Sequence, residues 1–185
     1  VIQTYAQVLL AVPNSRLVLK AKPFLTQSVK QGYLDRFEAA GVASSRVALL
    51  GLVPHNTNHL TAYSLMDISL DPWPYAGTTT TCEALLMGVP SITMRGNSHA
   101  HNVGISLVTN TGHPEWVAST PEEYVQKAVE LASDIPALAA LRARLRDEFL
   151  SGGVCDVEPF VEELETIYCQ LWSRWIADAK RQGPE

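Results

Sequence analysis

Short apolar runs alternate with longer stretches of helical periodicity along most of this chain. Leu17 to Leu19, Val47 to Leu50, Ile68 to Leu70, Ser91 to Met94 and Trp116 to Ala118 read as strands. Between and after them, helices are expected at Gln27 to Ala39, Asn58 to Ser64, Thr79 to Met87, Asn102 to Val108, Pro121 to Ser133 and Ala137 to Leu150. Ile2 to Val12 reads as the tail of a helix, ended by Pro13-Asn-Ser15. Gly41 and Gly88-Val-Pro90 are stop signals, and Asn56, Thr57 or Asn58 would cap the short helix. After a break at Ser151-Gly-Gly153, a last helix is expected from Glu158 to Ala177.

Strands that are apolar throughout and separated by helices predict an α/β domain. It is Rossmann-like, with a parallel sheet and helices on both faces. In such sheets ligands bind beyond the carboxyl ends of the strands. The segments of interest are therefore Lys20 to Lys22, Gly51 to His59, Asp71 to Thr81 and Arg95 to Asn102, all rich in polar residues or glycine.

The last helix carries Phe160, Val161, Leu164, Ile167, Tyr168, Leu171, Trp172, Trp175 and Ile176 on one stripe. Such a stripe is packing surface, expected against the core or against a missing lobe.

The 185 residues are enough for one domain with a full core, so residues 1–185 are expected to form a single lobe. With 46% hydrophobic and 18% charged residues the chain is globular. A net charge of −5 and a pI near 5.5 argue against nucleic acid and anionic membrane as partners. No run approaches the ~18 apolar residues of a membrane span. The chain opens inside an amphipathic pattern and looks like an excised fragment. Cys82, Cys155 and Cys169 form neither a metal knuckle nor a redox pair, which points to a reducing, cytoplasmic compartment.

The richest chemistry lies in Asp71-Pro-Trp-Pro-Tyr-Ala-Gly-Thr-Thr-Thr-Thr-Cys-Glu83. A glycine and four hydroxyl residues stand where a strand gives way to a helix. The first N–H groups of a helix lack internal partners, and the dipole is positive there. With the threonine hydroxyls they would hold a phosphate. Simple N-capping is the alternative, although a cap needs one hydroxyl, and four β-branched residues are an odd way to start a helix. Glu83, a turn further in, could reach a ribose hydroxyl.

Lys20 and Lys22 would point to one side if their strand continues, toward a pyrophosphate or toward solvent. His59 suits a phosphate or base edge, or merely a helix start. His99 and His101 lie two residues apart, so they share no helix face and no third ligand stands nearby. Hydrogen bonding to a sugar or phosphate is favoured over zinc. Asp71 either binds a ligand or fixes the turn before Pro72.

Val12-Pro-Asn-Ser-Arg-Leu17, Lys22-Pro-Phe24, Ala62-Tyr-Ser-Leu-Met-Asp-Ile-Ser-Leu-Asp71, Tyr75-Ala-Gly-Thr-Thr-Thr-Thr-Cys-Glu83, Met87-Gly-Val-Pro90 and His99-Ala-His-Asn-Val-Gly104 together resemble the carboxyl-terminal part of the SPINDLY/O-GlcNAc transferase family. The resemblance covers nearly the whole chain. It implies the nucleotide-sugar lobe of a two-lobed GT-B glycosyltransferase, preceded in the family by tetratricopeptide repeats and an amino-terminal catalytic lobe. The implied reaction is inverting, metal-independent transfer of a sugar to Ser or Thr of proteins, with UDP-GlcNAc or GDP-fucose as donor.

The resemblance carries His59, Thr78, Thr79, Thr80 and Glu83 over as contacts to the nucleotide diphosphate. The animal enzymes have Asp at the Glu83 position and His at the Thr78 position, so the pattern is closer to SPINDLY. The full candidate donor set is Lys22, His59, Asp71, Tyr75, Gly77, Thr78, Thr79, Thr80, Glu83, His99, His101 and Asn102. No cofactor or metal is expected, and the base and the acceptor groove are expected in the missing lobe. Two alternatives stay open: a donor lobe acting on small molecules or cell-envelope sugars, and a nucleotide-binding module without activity.

Overall fold

The computed structural model describes residues 1–51 and 59–182, and the side chains of residues 1–51 and 59–178. Helix α1 (Ile2–Ala11) leads into strand β1 (Leu17–Lys20), α2 (Gln27–Ala39) and β2 (Val47–Leu50). A 3-10 segment, His59–Leu65, precedes β3 (Ser69–Leu70), α3 (Thr79–Leu86) and β4 (Ser91–Met94). Then come α4 (His99–Asn110), β5 (Val117–Ala118), α5 (Pro121–Ser133), α6 (Ile135–Ser151) and α7 (Val157–Gln182). The expected caps at Asn56, Thr57 and Asn58 lie outside the described residues.

Every strand pairing is parallel. Leu17 stands opposite Val47 and Lys20 opposite Leu50; Ser69 faces Ser91, and Thr93 faces Val117. The strands form two hydrogen-bonded sets, β1-β2 and β3-β4-β5, rather than one continuous ladder. β4 is buried at all four positions, as an interior strand flanked on both sides must be. One apolar cluster joins α1, α2 and α5 across Phe37, Ile92 and Tyr124. A second gathers Leu85, Val108 and Trp116 under Leu138, Leu141, Leu145 and Phe149 of α6. The sheet therefore has helices on both faces, as the alternation predicted.

Boundaries differ where polar side chains decide them. α4 starts three residues before the expected Asn102, because the Ser98 hydroxyl accepts the His101 N–H. Trp116 ends a 3-10 turn instead of opening a strand; its ring stacks on His113 at 3.9 Å. The Asp134 carboxylate accepts the Ala137 N–H and starts α6 at Ile135.

The last helix narrows one expectation. α6 already covers the Leu85–Val108 cluster, and Val154 and Cys155 just after it still pack there, but among the described residues α7 contributes nothing to it. Phe160, Tyr168, Trp172 and Trp175 are each about 60% exposed, and Trp172 and Trp175 stack on each other at 5.1 Å. The α7 stripe is not packed on the core of this chain.

Glu148 of α6 accepts from His113 Nε2 at 2.9 Å and from Arg144 Nε at 2.8 Å. Desolvation pushes its carboxyl up, but these two donors outweigh it and hold it below the ordinary glutamate range. A depressed carboxyl contributes stability above its unfolded pKa and loses it as pH falls through its folded one. Glu148→Gln is expected to flatten this acid limb. The difference in melting temperature between wild type and variant should shrink below about pH 4, near the unfolded glutamate value. A pH-independent difference would remove Glu148 from the acid response.

Candidate active site: the carboxyl edge of the sheet

The loop after β3 and the start of α3 are built around Asp71. This carboxylate is 2% exposed. Its Oδ1 accepts the Gly77 N–H at 2.7 Å and its Oδ2 accepts the Thr93 hydroxyl at 2.8 Å. The backbone carbonyl of Asp71 accepts the Tyr124 hydroxyl at 3.0 Å. Burial raises the Asp71 pKa, and the hydrogen bonds from Gly77 and Thr93 work against that rise. Each oxygen takes a donor from the loop or from β4, so Asp71 fixes the turn.

Gly77 is required by contact. A Cβ there would lie 2.5 Å from Thr80 Oγ1 and 2.6 Å from Thr81 Oγ1. Its N–H is already held by Asp71, so an anion at this helix start meets donors from Thr78 onward. Thr78 occupies the N-cap position, but its side chain does not cap. Thr81 turns inward and donates to the Gly77 carbonyl at 3.1 Å. Thr78, Thr79 and Thr80 are exposed at a helix end with unpaired N–H groups. One threonine of the run is thus structural, and three remain available to a ligand. Tyr75, 77% exposed, stands in the loop before them.

A line of side chains runs beside this turn. Lys20 Nζ lies 2.6 Å from His59 Nδ1, and His59 Nε2 lies 3.0 Å from Glu83 Oε2. The Tyr63 hydroxyl lies 2.8 Å from the same Glu83 oxygen and 3.1 Å from the Thr80 carbonyl. An ammonium group only donates, so Nδ1 accepts and the proton sits on Nε2, directed at Glu83. Burial first, then Glu83, pushes the Tyr63 phenol well above its ordinary value. Tyr63 therefore acts as a donor that orients Glu83.

The expectation for Lys20 and Lys22 is corrected. The strand does not continue: Pro23 lacks an N–H, and a 3-10 turn begins at Lys22. Lys22 is exposed, and Lys20 is the lysine that reaches the site.

The loop after β4 is closed by Asn102, whose side chain accepts the Gly96 N–H at 2.9 Å and donates to the Gly96 carbonyl at 3.0 Å. The His101 ring packs on Gly96 so closely that a Cβ there would lie 1.7 Å from Nδ1. His101 Nε2 is buried and has no hydrogen-bond partner among the described residues. His99 is exposed. The Ala76 N–H donates to the Ala100 carbonyl at 3.0 Å, which ties the two loops together. Among the described residues no group of three His, Cys, Asp or Glu side chains could hold a metal ion.

Sequence reasoning missed Tyr63, Thr93 and Tyr124. Two of them left a trace: Tyr63 follows His59 by one helical turn, and Thr93 is a hydroxyl inside an apolar strand. Of the Gly51 to His59 loop, expected to choose the base, residues 52–58 lie outside the described part.

The comparisons with known proteins agree with this geometry. Over 175 residues the chain is 54% identical to a protein of Hordeum vulgare and 53% identical to one of Arabidopsis thaliana. Both are described as probable UDP-N-acetylglucosamine–peptide N-acetylglucosaminyltransferase SPINDLY. These matches cover 95% of this chain and only 18% and 19% of the relatives. A UDP-N-acetylglucosamine–peptide N-acetylglucosaminyltransferase of Caenorhabditis elegans is 31% identical over 92% of the chain and 14% of its own length. A solved O-GlcNAc transferase mutant of Thermobaculum terrenum superposes with a TM-score of 0.87 at 36% identity, covering 96% of this chain and 34% of that one. The expected GT-B lobe is thereby borne out. Residues 1–164 match the family described as glycosyl transferase family 41, and the chain belongs to that family.

Proposed function

We propose that this chain is the donor-binding lobe of a protein O-glycosyltransferase. It holds a nucleotide sugar, UDP-GlcNAc or GDP-fucose, for inverting transfer to Ser or Thr without a metal. The observation that carries this reading is the exposed Thr78–Thr80 helix start, fixed from below by Asp71 and flanked by the Lys20–His59–Glu83–Tyr63 line. The relatives' names supply the chemistry: a UDP-sugar donor and a peptide acceptor.

An acceptor hydroxyl attacks the anomeric carbon, and the nucleoside diphosphate leaves with growing negative charge. The N–H groups and hydroxyls from Thr78 onward face that charge and stabilise it more in the transition state than in the substrate. Glu83, oriented by His59 and Tyr63, is placed for a ribose hydroxyl. Tyr75, His99, His101 and Asn102 border the donor; Asn102 acts by holding the Gly96 loop. The base and the acceptor groove belong to the amino-terminal lobe, against which the bare α7 stripe packs. Among the described residues no helix is long and apolar enough to cross a membrane. The three free cysteines fit a cytoplasmic protein.

Titration with UDP, UDP-GlcNAc, GDP and GDP-fucose, followed by NMR shifts, tests this reading. Saturable shifts at Thr78 to Thr80 with one nucleotide class preferred are expected, and the class identifies the donor. In the full-length protein, binding of neither class would overturn the reading.

A further inference from the structure

Lys20 is the last residue of β1, and the ladder fixes its place opposite Leu50. The Ala21 N–H also goes to Leu50, so the strand is held up to the point where Pro23 turns it. We propose that Lys20 is a positioning residue of the donor site: it acts through His59, which it pins against Glu83, and makes no contact of its own with the donor. The role rests on the function proposed above, whereas the contact between Lys20 and His59 rests on geometry alone.

Three observations carry it. First, His59 is held at both ring nitrogens. Its side chain is 51% exposed, and a ring so exposed turns about its bonds unless both ends are fixed. Lys20 Nζ at 2.6 Å fixes Nδ1, and Glu83 Oε2 at 3.0 Å fixes Nε2. The Tyr63 ring meets the imidazole edge-on, at 6.2 Å and 87°. The bond made by one ring nitrogen decides what the other presents. Lys20 therefore decides that a proton points at Glu83.

Second, the order of contacts puts the lysine behind the histidine. The imidazole bridges Nζ and the Glu83 carboxylate. Glu83 lies a turn inside α3, past the Thr78–Thr80 start where a diphosphate would sit. The ammonium thus reaches the ribose side of the site, and it reaches it through a ring.

Third, the arrangement sorts the two oxygens of Glu83. Oε2 takes both the His59 ring and the Tyr63 hydroxyl, at 3.0 and 2.8 Å. Among the described residues no donor reaches Oε1. A ribose hydroxyl would meet that oxygen, and it meets it in one orientation only while Oε2 is held.

Wild type, Lys20→Met, His59→Phe and the double variant, each as the full-length protein, decide the matter. Lys20→Met keeps much of the side-chain length and removes its donors. His59→Phe keeps a ring against Tyr63 and removes both nitrogens. Lys20→Met is expected to weaken binding of the preferred nucleotide, UDP or GDP, by roughly two- to fivefold, the worth of an exposed charged contact. In the His59→Phe background it should change nothing further. The loss should appear in KM with kcat kept, because the ribose gains no charge as the glycosidic bond breaks. An equal loss in both backgrounds would put Lys20 on the donor itself and overturn the proposal, as would full affinity in Lys20→Met. The ring-nitrogen resonances give a reading that needs no nucleotide. The Nδ1 signal of His59, assigned by its absence in His59→Phe, should move in Lys20→Met toward that of a ring nitrogen without a hydrogen-bond partner. An unmoved signal overturns the proposal even where nucleotide binds. A moved signal in a protein that binds neither UDP nor GDP overturns the donor site, and the role with it, and leaves only the contact.

Discussion

Asp71→Ala is expected to lower stability by about 2–6 kcal/mol, because it strands one buried and one half-buried donor at roughly 1–3 kcal/mol each. The donors are the Gly77 N–H and the Thr93 hydroxyl, at 2.7 and 2.8 Å from a carboxylate that is 2% exposed. For a chain of this size the melting temperature should fall by roughly 5–20 °C. Asp71→Asn separates the hydrogen bonds from the charge. Its amide oxygen still accepts from Gly77, and its NH₂ can donate to the Thr93 oxygen, so more than half of the loss should be recovered.

The pH dependence adds a second reading. Burial raises the Asp71 pKa in the folded chain. Its contribution to stability is therefore full below the unfolded aspartate value and declines as pH rises through the folded one. Asp71→Asn carries no charge and removes that slope. A change below about 0.5 kcal/mol for Asp71→Ala, the range of ordinary surface substitutions, would sink the structural role.

Asp71 also shows where sequence reading stops. α2 and α5 have the boundaries expected because their signals are local: Gly41 follows the one, and Thr120-Pro121 opens the other. The strands were legible from apolar runs bounded by turn residues. The exposed helix start at Thr78–Thr80 was legible because a helix start is itself local chemistry. The partners of Asp71 stand 22 and 53 residues further on, and no periodicity connects them. Lys20 and Lys22 looked alike from spacing, and only the turn at Pro23 decides which one meets His59. The start of α4 was missed because His99-Ala-His carries no apolar period, although Ser98 was a readable cap. The division into two strand sets was invisible for a related reason: pairing order is a property of the fold, whereas the apolar runs speak only of each strand alone.

Thr79→Ala in the full-length enzyme is expected to lower turnover tenfold or more while leaving stability nearly unchanged. Thr79 is exposed at the first position of α3, and the Asp71–Gly77 bond, the Thr81–Gly77 bond and the backbone N–H groups all survive the change. What is lost, on the function proposed above, is one hydroxyl donor to the leaving diphosphate. A tenfold loss corresponds to about 1.4 kcal/mol of barrier. Removal of a donor aimed at developing negative charge typically costs about 2.7–4 kcal/mol, so tenfold is the lower end of the range. Because the charge grows as the glycosidic bond breaks, the loss should fall on kcat more than on KM. Thr79→Ser keeps the hydroxyl and should restore most of the rate. A variant with full kcat would leave the threonine run as a capping feature; a variant raised only in KM would make Thr79 a ground-state contact to the donor. Thr81→Ala is the control for structure: its hydroxyl faces Gly77, so it should cost stability first, and rate only through the turn.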